Sequence, residues 1–226
     1  DAAFLQAPAA QGNGGAAIAG EQLLQRLAAL GYAQPSESGA RIEALLASRR
    51  VAASETARTS IERLLAAALA PVADAARKAV PAITPDELLA RFLRLLEEVA
   101  RRATYLALLA QYPQATAAVL RLLAASRWAT DYLVRHPILL DELIDERLTQ
   151  LTNDTPVDFS AWRAEVEHHL EAVADDTERA MNVLRDAHHA QVFRLLVADL
   201  DGRLTVERLA DHLSALADAV LEIVLR

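Results

Sequence analysis

The stretch TPDELLARFLRLLEEVARRATYLALLAQYP, from Thr84 to Pro113, restricts the fold more than any other part of the chain. Leu88, Phe92, Leu95, Leu96, Val99, Ala103 and Leu106 recur at spacings of three, four and one, which gathers them on one face of a helix. A strand would need apolar and polar residues to alternate, and no sustained alternation occurs in the 226 residues. Thr84 is placed to cap, Pro85 to occupy the first helical position and Glu87 to complete a capping box. Glu87–Arg91, Glu97–Arg101 and Glu98–Arg102 are acid-first pairs on the wet side, each worth about 0.3 kcal/mol. From Glu21 onward the rest of the chain is equally rich in Leu, Ala, Glu and Arg, all good helix formers. The expected fold class is all-α: an elongated multi-helix bundle with short, proline-set corners.

Local signals place the elements. EQLLQRLAALGY should stop at Gly31 as its C′ residue, and PSESGARIEALLASRR should start from Ser36 or Ser38 as cap. ASETARTSIERLLAAALAPVADAARKA reads as a longer helix that Pro71 kinks or divides. Tyr112-Pro113 and His136-Pro137 are junctions, because a proline ring pushes its predecessor out of the helical region and itself suits a new first turn. Helices should therefore stop near Gln111 and Arg135 and restart at once. LTNDTPVDFS, Leu151 to Ser160, is a polar internal break. Beyond it Phe159, Trp162, Val166, Leu170, Val173 and Leu184 predict one long helical stripe, with a later stop at Gly202. Val206, Leu209, Leu213, Leu216, Val220 and Val224 predict the inner face of a last helix. Residues 1–20 read as a flexible linker; Gly12, Gly14 and Gly15 lack the preceding strand and third-glycine spacing of a phosphate-cradling loop.

Composition narrows the chemistry. With no cysteine, thiol catalysis, cysteine-based zinc sites and disulfides are excluded. A formal charge of −8 offers no broad attraction for nucleic acid. No apolar run approaches the roughly 18 residues of a membrane span, and the start lacks the pattern of a signal peptide. A cytoplasmic location without membrane or nucleic-acid partners is expected. Asp199-Leu200-Asp201 resembles a metal-holding acid pair, but at a helix end its carboxylates diverge by about 200° around the axis. His168-His169 and His188-His189 lack the three or four converging ligands a zinc site needs; one of each doublet is expected to pack at the core edge. His212 beside Asp211 reads as structural. Trp128 and Trp162 fit either interaction anchors or core, and Arg49-Arg50 and Arg101-Arg102 fit solvated faces. No residue is assigned as catalytic, cofactor-binding or metal-ligating.

Four stretches in order, LAALGYAQPSESGARIEALLASRR, RLLEEVARRATYLALLAQYPQA, LRLLAASRWATDYLVRHPILLDELID and LRDAHHAQVFRLLVADLDGRLTVERLADHLSALADAVL, carry a resemblance. The chain resembles the bifunctional glutamine synthetase adenylyltransferases from about Leu23 onward. It departs at Arg127, where the family often has proline, and at His188-His189, which replace an aromatic and a basic residue. The resemblance implies an enzyme of two nucleotidyltransferase halves, one removing AMP from glutamine synthetase and one adding it from ATP with magnesium. It also implies PII signal protein and glutamine as regulators. On that map residues 21–83 are the helical tail of the first half and 84–150 a linking and regulatory region. Residues 151–226 are long helices leading into the second, truncated nucleotidyltransferase domain. The fragment itself is expected to be an inactive spacer and regulatory surface, with no cofactor of its own. The alternative from another class is a stand-alone helical scaffold for protein interactions, although no repeat of fixed period supports a solenoid.

Overall fold

The computed structural model describes residues 12–144 and 151–225. All its regular elements are helical, and no strand occurs among the described residues. The fold class is all-α. The chain forms two compact units, Asp1–Leu140 and Asp141–Arg226.

In the first unit, α1 (Gly12–Ala29), α2 (Pro35–Ala47), the single-turn α3 (Arg49–Ala52) and α4 (Glu55–Lys78) are followed by α5 (Pro85–Val99). Then come α6 (Ala103–Gln111), α7 (Pro113–Ala125), α8 (Arg127–Arg135) and a 3-10 helix at Pro137–Ile144 that runs past the unit boundary. The division expected at 83/84 falls inside this unit, where α4 and α5 pack together. Ile61, Leu65, Leu69 and Val72 from α4 meet Leu88, Phe92, Leu95 and Leu96 from α5 in a core closed to solvent.

Several caps follow the local rules. Gly31 adopts φ +89°, donates to the Ala28 carbonyl (3.0 Å), and Tyr32 donates to Leu27 (3.1 Å), the paired bonds of a Schellman stop. Thr84 Oγ1 accepts from the Glu87 N–H at 3.1 Å, while the Glu87 carboxylate turns to Arg91 at 2.7 Å, so the capping box is half formed.

Other expectations are corrected. Residues 1–11 of the expected linker lie outside the described residues, but Gly12 to Gly20 are already helical. Once the turn around Leu23 forms, each added residue gains a hydrogen bond, and Ala16, Ala17 and Ala19 offset the unfavourable glycines. Neither Ser36 nor Ser38 caps α2; Gln34 holds the cap position, and Ser38 is buried. Pro71 does not divide α4. Two carbonyls in the turns before it receive donors from the α1 end, Ala66 from Arg26 Nη2 and Leu69 from the Tyr32 hydroxyl, both at 2.9 Å.

The long helix expected from Thr84 to Gln111 breaks after Val99. The turn at 100–102 redirects α6 so that Leu106 and Leu109 face α4 and α7, and Ala103 is exposed. The break also removes the frame for the two later acid-first pairs. Glu98 pairs instead with Arg50 at 2.5 Å, and the Arg102 guanidinium lies 5.7 Å from the Tyr105 ring centre.

The second unit contains α9 (Ser160–Glu171), α10 (Thr177–Leu200) and α11 (Val206–Val224). The stripe expected to be continuous through Leu184 is interrupted at 172–176, and Asp176 caps α10 through a bond from the Arg179 N–H. Gly202, at φ +68°, stops α10 as expected. The core joins Leu195, Ala198, Leu204 and Leu216, flanked by Phe159, Trp162 and Leu209. The buried face of α11 is His212, Leu216, Ala219 and Ile223, while Val206, Leu213 and Val224 are exposed. Apolar residues cover more than half of this helix's circumference, so periodicity alone did not select which arc faces inward.

The polar stretch 151–159 is a built strap. Asn153 Oδ1 accepts from the Thr205 N–H (2.8 Å), and Arg208 donates to the Asn153 and Thr155 carbonyls (2.9 and 2.6 Å). These bonds tie it to the first turn of α11.

Candidate functional site

In the first unit the α1–α2 turn, the start of α5 and α8 surround an open, charge-lined cleft of about 770 Å³. Arg41, Glu87, Arg91, Arg94, Arg127 and Asp131 face it. Its foundation is Asp86, a carboxylate almost closed to solvent. That carboxylate accepts from the Ala33 N–H (2.7 Å), the Gln34 N–H (3.1 Å) and the Ser38 hydroxyl (2.8 Å). Its place in the first turn of α5 also lets the helix dipole favour the negative charge. Arg94 on α5 pairs with Asp131 on α8, and both line the cleft. Arg91 links α5 to α7, bonding to Glu87 and to the Leu123 carbonyl at the end of α7 (2.5 Å). Asp86 thereby joins α5 to α2 and the turn before it, Arg91 joins α5 to α7, and the exposed Arg94–Asp131 pair bridges α5 and α8.

The outer face of α8 carries an aromatic ladder. Trp128 is half exposed and stacks on Tyr132 with ring centres 4.9 Å apart; Tyr132 lies 5.0 Å from His136. Burial pushes the Tyr132 hydroxyl up to about 12, so it stays protonated at neutral pH. Of the two tryptophans, Trp128 is therefore a surface residue, and Trp162 packs on the second unit's core with Phe159 edge-on at 6.0 Å.

The other sequence candidates are scattered. Asp199 lies within α10, while Asp201 caps it and pairs with Arg203 at 3.2 Å; Gly202 and Arg203 donate to the carbonyls of Asp199 and Ala198. This is a helix-ending turn. His168 and His169 are both exposed, and His188 and His189 are both half-buried, so neither doublet divides into one inner and one outer ring. Among the described residues no group of three or more His, Asp or Glu is placed to hold a metal ion. The described residues therefore hold no cluster suited to the magnesium that the resemblance implies for the parent enzyme.

Sequence reasoning missed the environment of His212. The side chain is buried, its Nε2 has no hydrogen-bond partner, and the Phe159 ring stands edge-on at 6.3 Å. Burial holds its pKa below the ordinary 6.5, Arg208 lowers it further and Asp211 opposes the shift. The folded unit thus binds fewer protons than the unfolded chain in the window below 6.5. His212 contributes no pH dependence above that value and destabilises progressively as the pH falls through it. Half-buried His188, shifted down by burial, acts in the same direction. Urea unfolding of the second unit should show His212→Leu within about 1 kcal/mol of the parent at pH 8. The substitution should be more stable than the parent at pH 5.5. Parallel curves for the two proteins from pH 8 to 5 would refute the assignment.

The first unit thus combines a charge-lined cleft with an aromatic ladder on α8. Residues 116–226 match the family model for glutamate-ammonia ligase adenylyltransferase. Over those residues the chain is similar to that family. Its relatives include a bifunctional glutamine synthetase adenylyltransferase/adenylyl-removing enzyme of Aromatoleum aromaticum, 57% identical over 142 residues, 62% of this chain and 15% of the relative. Enzymes of the same name from Ralstonia nicotianae (50% over 140 residues, 62% of this chain and 14% of the relative) and Burkholderia mallei (48% over 144 residues, 64% and 15%) are similar. The chain spans about 15% of the length of these relatives.

Proposed function

We propose that this chain is the helical section between two nucleotidyltransferase halves of an enzyme that adds AMP to glutamine synthetase and removes it. Its function there is mechanical: it holds the two active sites at a set distance and orientation and offers a surface through which regulators bias one against the other. The 57% identity to an adenylyltransferase/adenylyl-removing enzyme carries this reading. The cross-braced cleft supports it, because Asp86, Arg91 and the Arg94–Asp131 pair tie α2, α5, α7 and α8 into one piece. A ligand acts on such a piece by preferring one of two arrangements. ATP, magnesium, PII signal protein and glutamine belong to this reading as properties of the parent enzyme in the cytoplasm.

Two measurements test it. Incubated with labelled ATP, magnesium and glutamine synthetase, the isolated chain should transfer no AMP; incorporation would make it a catalytic unit. In the full enzyme, deleting His136-Pro137 should leave the adenylylating half active while weakening the response to PII and glutamine. An unchanged regulatory response would remove the mechanical role.

A further inference from the structure

The first unit contains a second concavity, remote in composition from the charged cleft. It is a groove of about 610 Å³ along one face of α4, walled by the α6–α7 corner. Its sides are apolar, formed by Leu64, Pro71, Leu106, Leu109 and Pro113. Ala67, Ala107 and Ala110 also line it and are exposed, so small side chains leave the space open where larger ones would fill it. The volume lies within the range of small-molecule sites, which are mostly apolar with a few orienting polar groups.

Those polar groups are placed unequally. Ser60 and Arg63, adjacent on the α4 surface, stand toward its N-terminal end, and Gln111 belongs to the α6–α7 corner. Arg63 is exposed and has no ion-pair or hydrogen-bond partner among the described residues, unlike neighbouring Arg58, which is paired with Glu62 at 3.0 Å. An unpaired guanidinium beside a hydroxyl, at one part of an apolar trough, matches a planar carboxylate joined to an apolar body. From Ser60 to Pro71 the helix rises about 16 Å, long enough to accept an extended chain of roughly ten carbons.

We propose that this groove binds amphiphilic monocarboxylates, with the carboxylate at Arg63 and Ser60 and the apolar chain laid between α4 and the α6–α7 corner. The proposal does not depend on the role in glutamine synthetase modification.

Decanoate, decanol and decylamine, each below its aggregation threshold, test it by calorimetry and amide NMR on the intact chain. Decanoate should bind once per chain and shift amides of α4, α6 and α7, with decylamine at least tenfold weaker. Arg63→Ala should weaken decanoate about tenfold and leave decanol unchanged. Ala107→Trp, at an exposed position, should abolish binding of both while the far-ultraviolet spectrum stays the same. Equal affinity for the amine, or decanoate binding unaffected by Ala107→Trp, would overturn the proposal, as would no saturable decanoate binding at all.

Discussion

Val99→Asp should unfold the first unit, or lower its stability by at least about 4 kcal/mol. Val99 is fully closed to solvent at the last turn of α5. A carboxylate there loses its water without gaining a cation, and it sits at the helix end where the dipole already disfavours negative charge. The same residue anchors the turn that redirects the chain, since its carbonyl accepts from the Arg102 N–H at 2.8 Å. The substitution therefore strikes both the core and the corner that brings α6 onto α4. Val99→Thr separates these effects from loss of shape: it keeps the branched side chain and introduces only a hydroxyl, for about 1–3 kcal/mol. Urea unfolding followed by circular dichroism, with the Trp162 signal reporting the second unit, measures both. If Asp and Thr were equally mild, below 1 kcal/mol, Val99 would not be the buried position described.

What the sequence made legible was local. Gly31, Gly202, Thr84 and the two X-Pro junctions act through their own backbone geometry, and each stands where its chemistry places it. Features decided by distant partners were not legible. The break after Val99 carries no glycine or proline; it exists because Leu106 and Leu109 bury against α4 and α7. The strap at 151–159 reads as a linker until Thr205 and Arg208, some fifty residues later, supply its hydrogen bonds. Ser38 has the composition of a cap, yet its hydroxyl is directed by Asp86. The inner arc of α11 was ambiguous for a different reason, an excess of apolar residues rather than a lack of signal. The candidate site shares this limit. Arg91, Arg94 and Asp131 are ordinary surface charges in sequence and become a cleft only when α5 and α8 pack.

Asp86→Ala is the sharper test of whether the charged cleft is one mechanical piece. The carboxylate receives three donors from residues 48 to 53 positions earlier in the chain. Its removal leaves a buried hydroxyl and two part-buried backbone N–H groups without their acceptor. The expected loss is about 3 kcal/mol, since hydrogen bonds to a charged group are the strong ones and buried donors left unmade are costly. Asp86→Asn should lose less, because one carbonyl oxygen remains. Ser38→Ala should lose about 1 kcal/mol alone. It should lose almost nothing once Asp86 is gone, a coupling that a double-mutant cycle reads directly. The location of the damage matters more than its size. Hydrogen exchange should show the α1–α2 turn opening well before the core of α4 and α5, because the staple joins that turn to α5 while Leu65, Leu69 and Phe92 remain packed. A protein with α1–α2 protection equal to the parent's after Asp86→Ala would show that the cleft's rigidity comes from elsewhere.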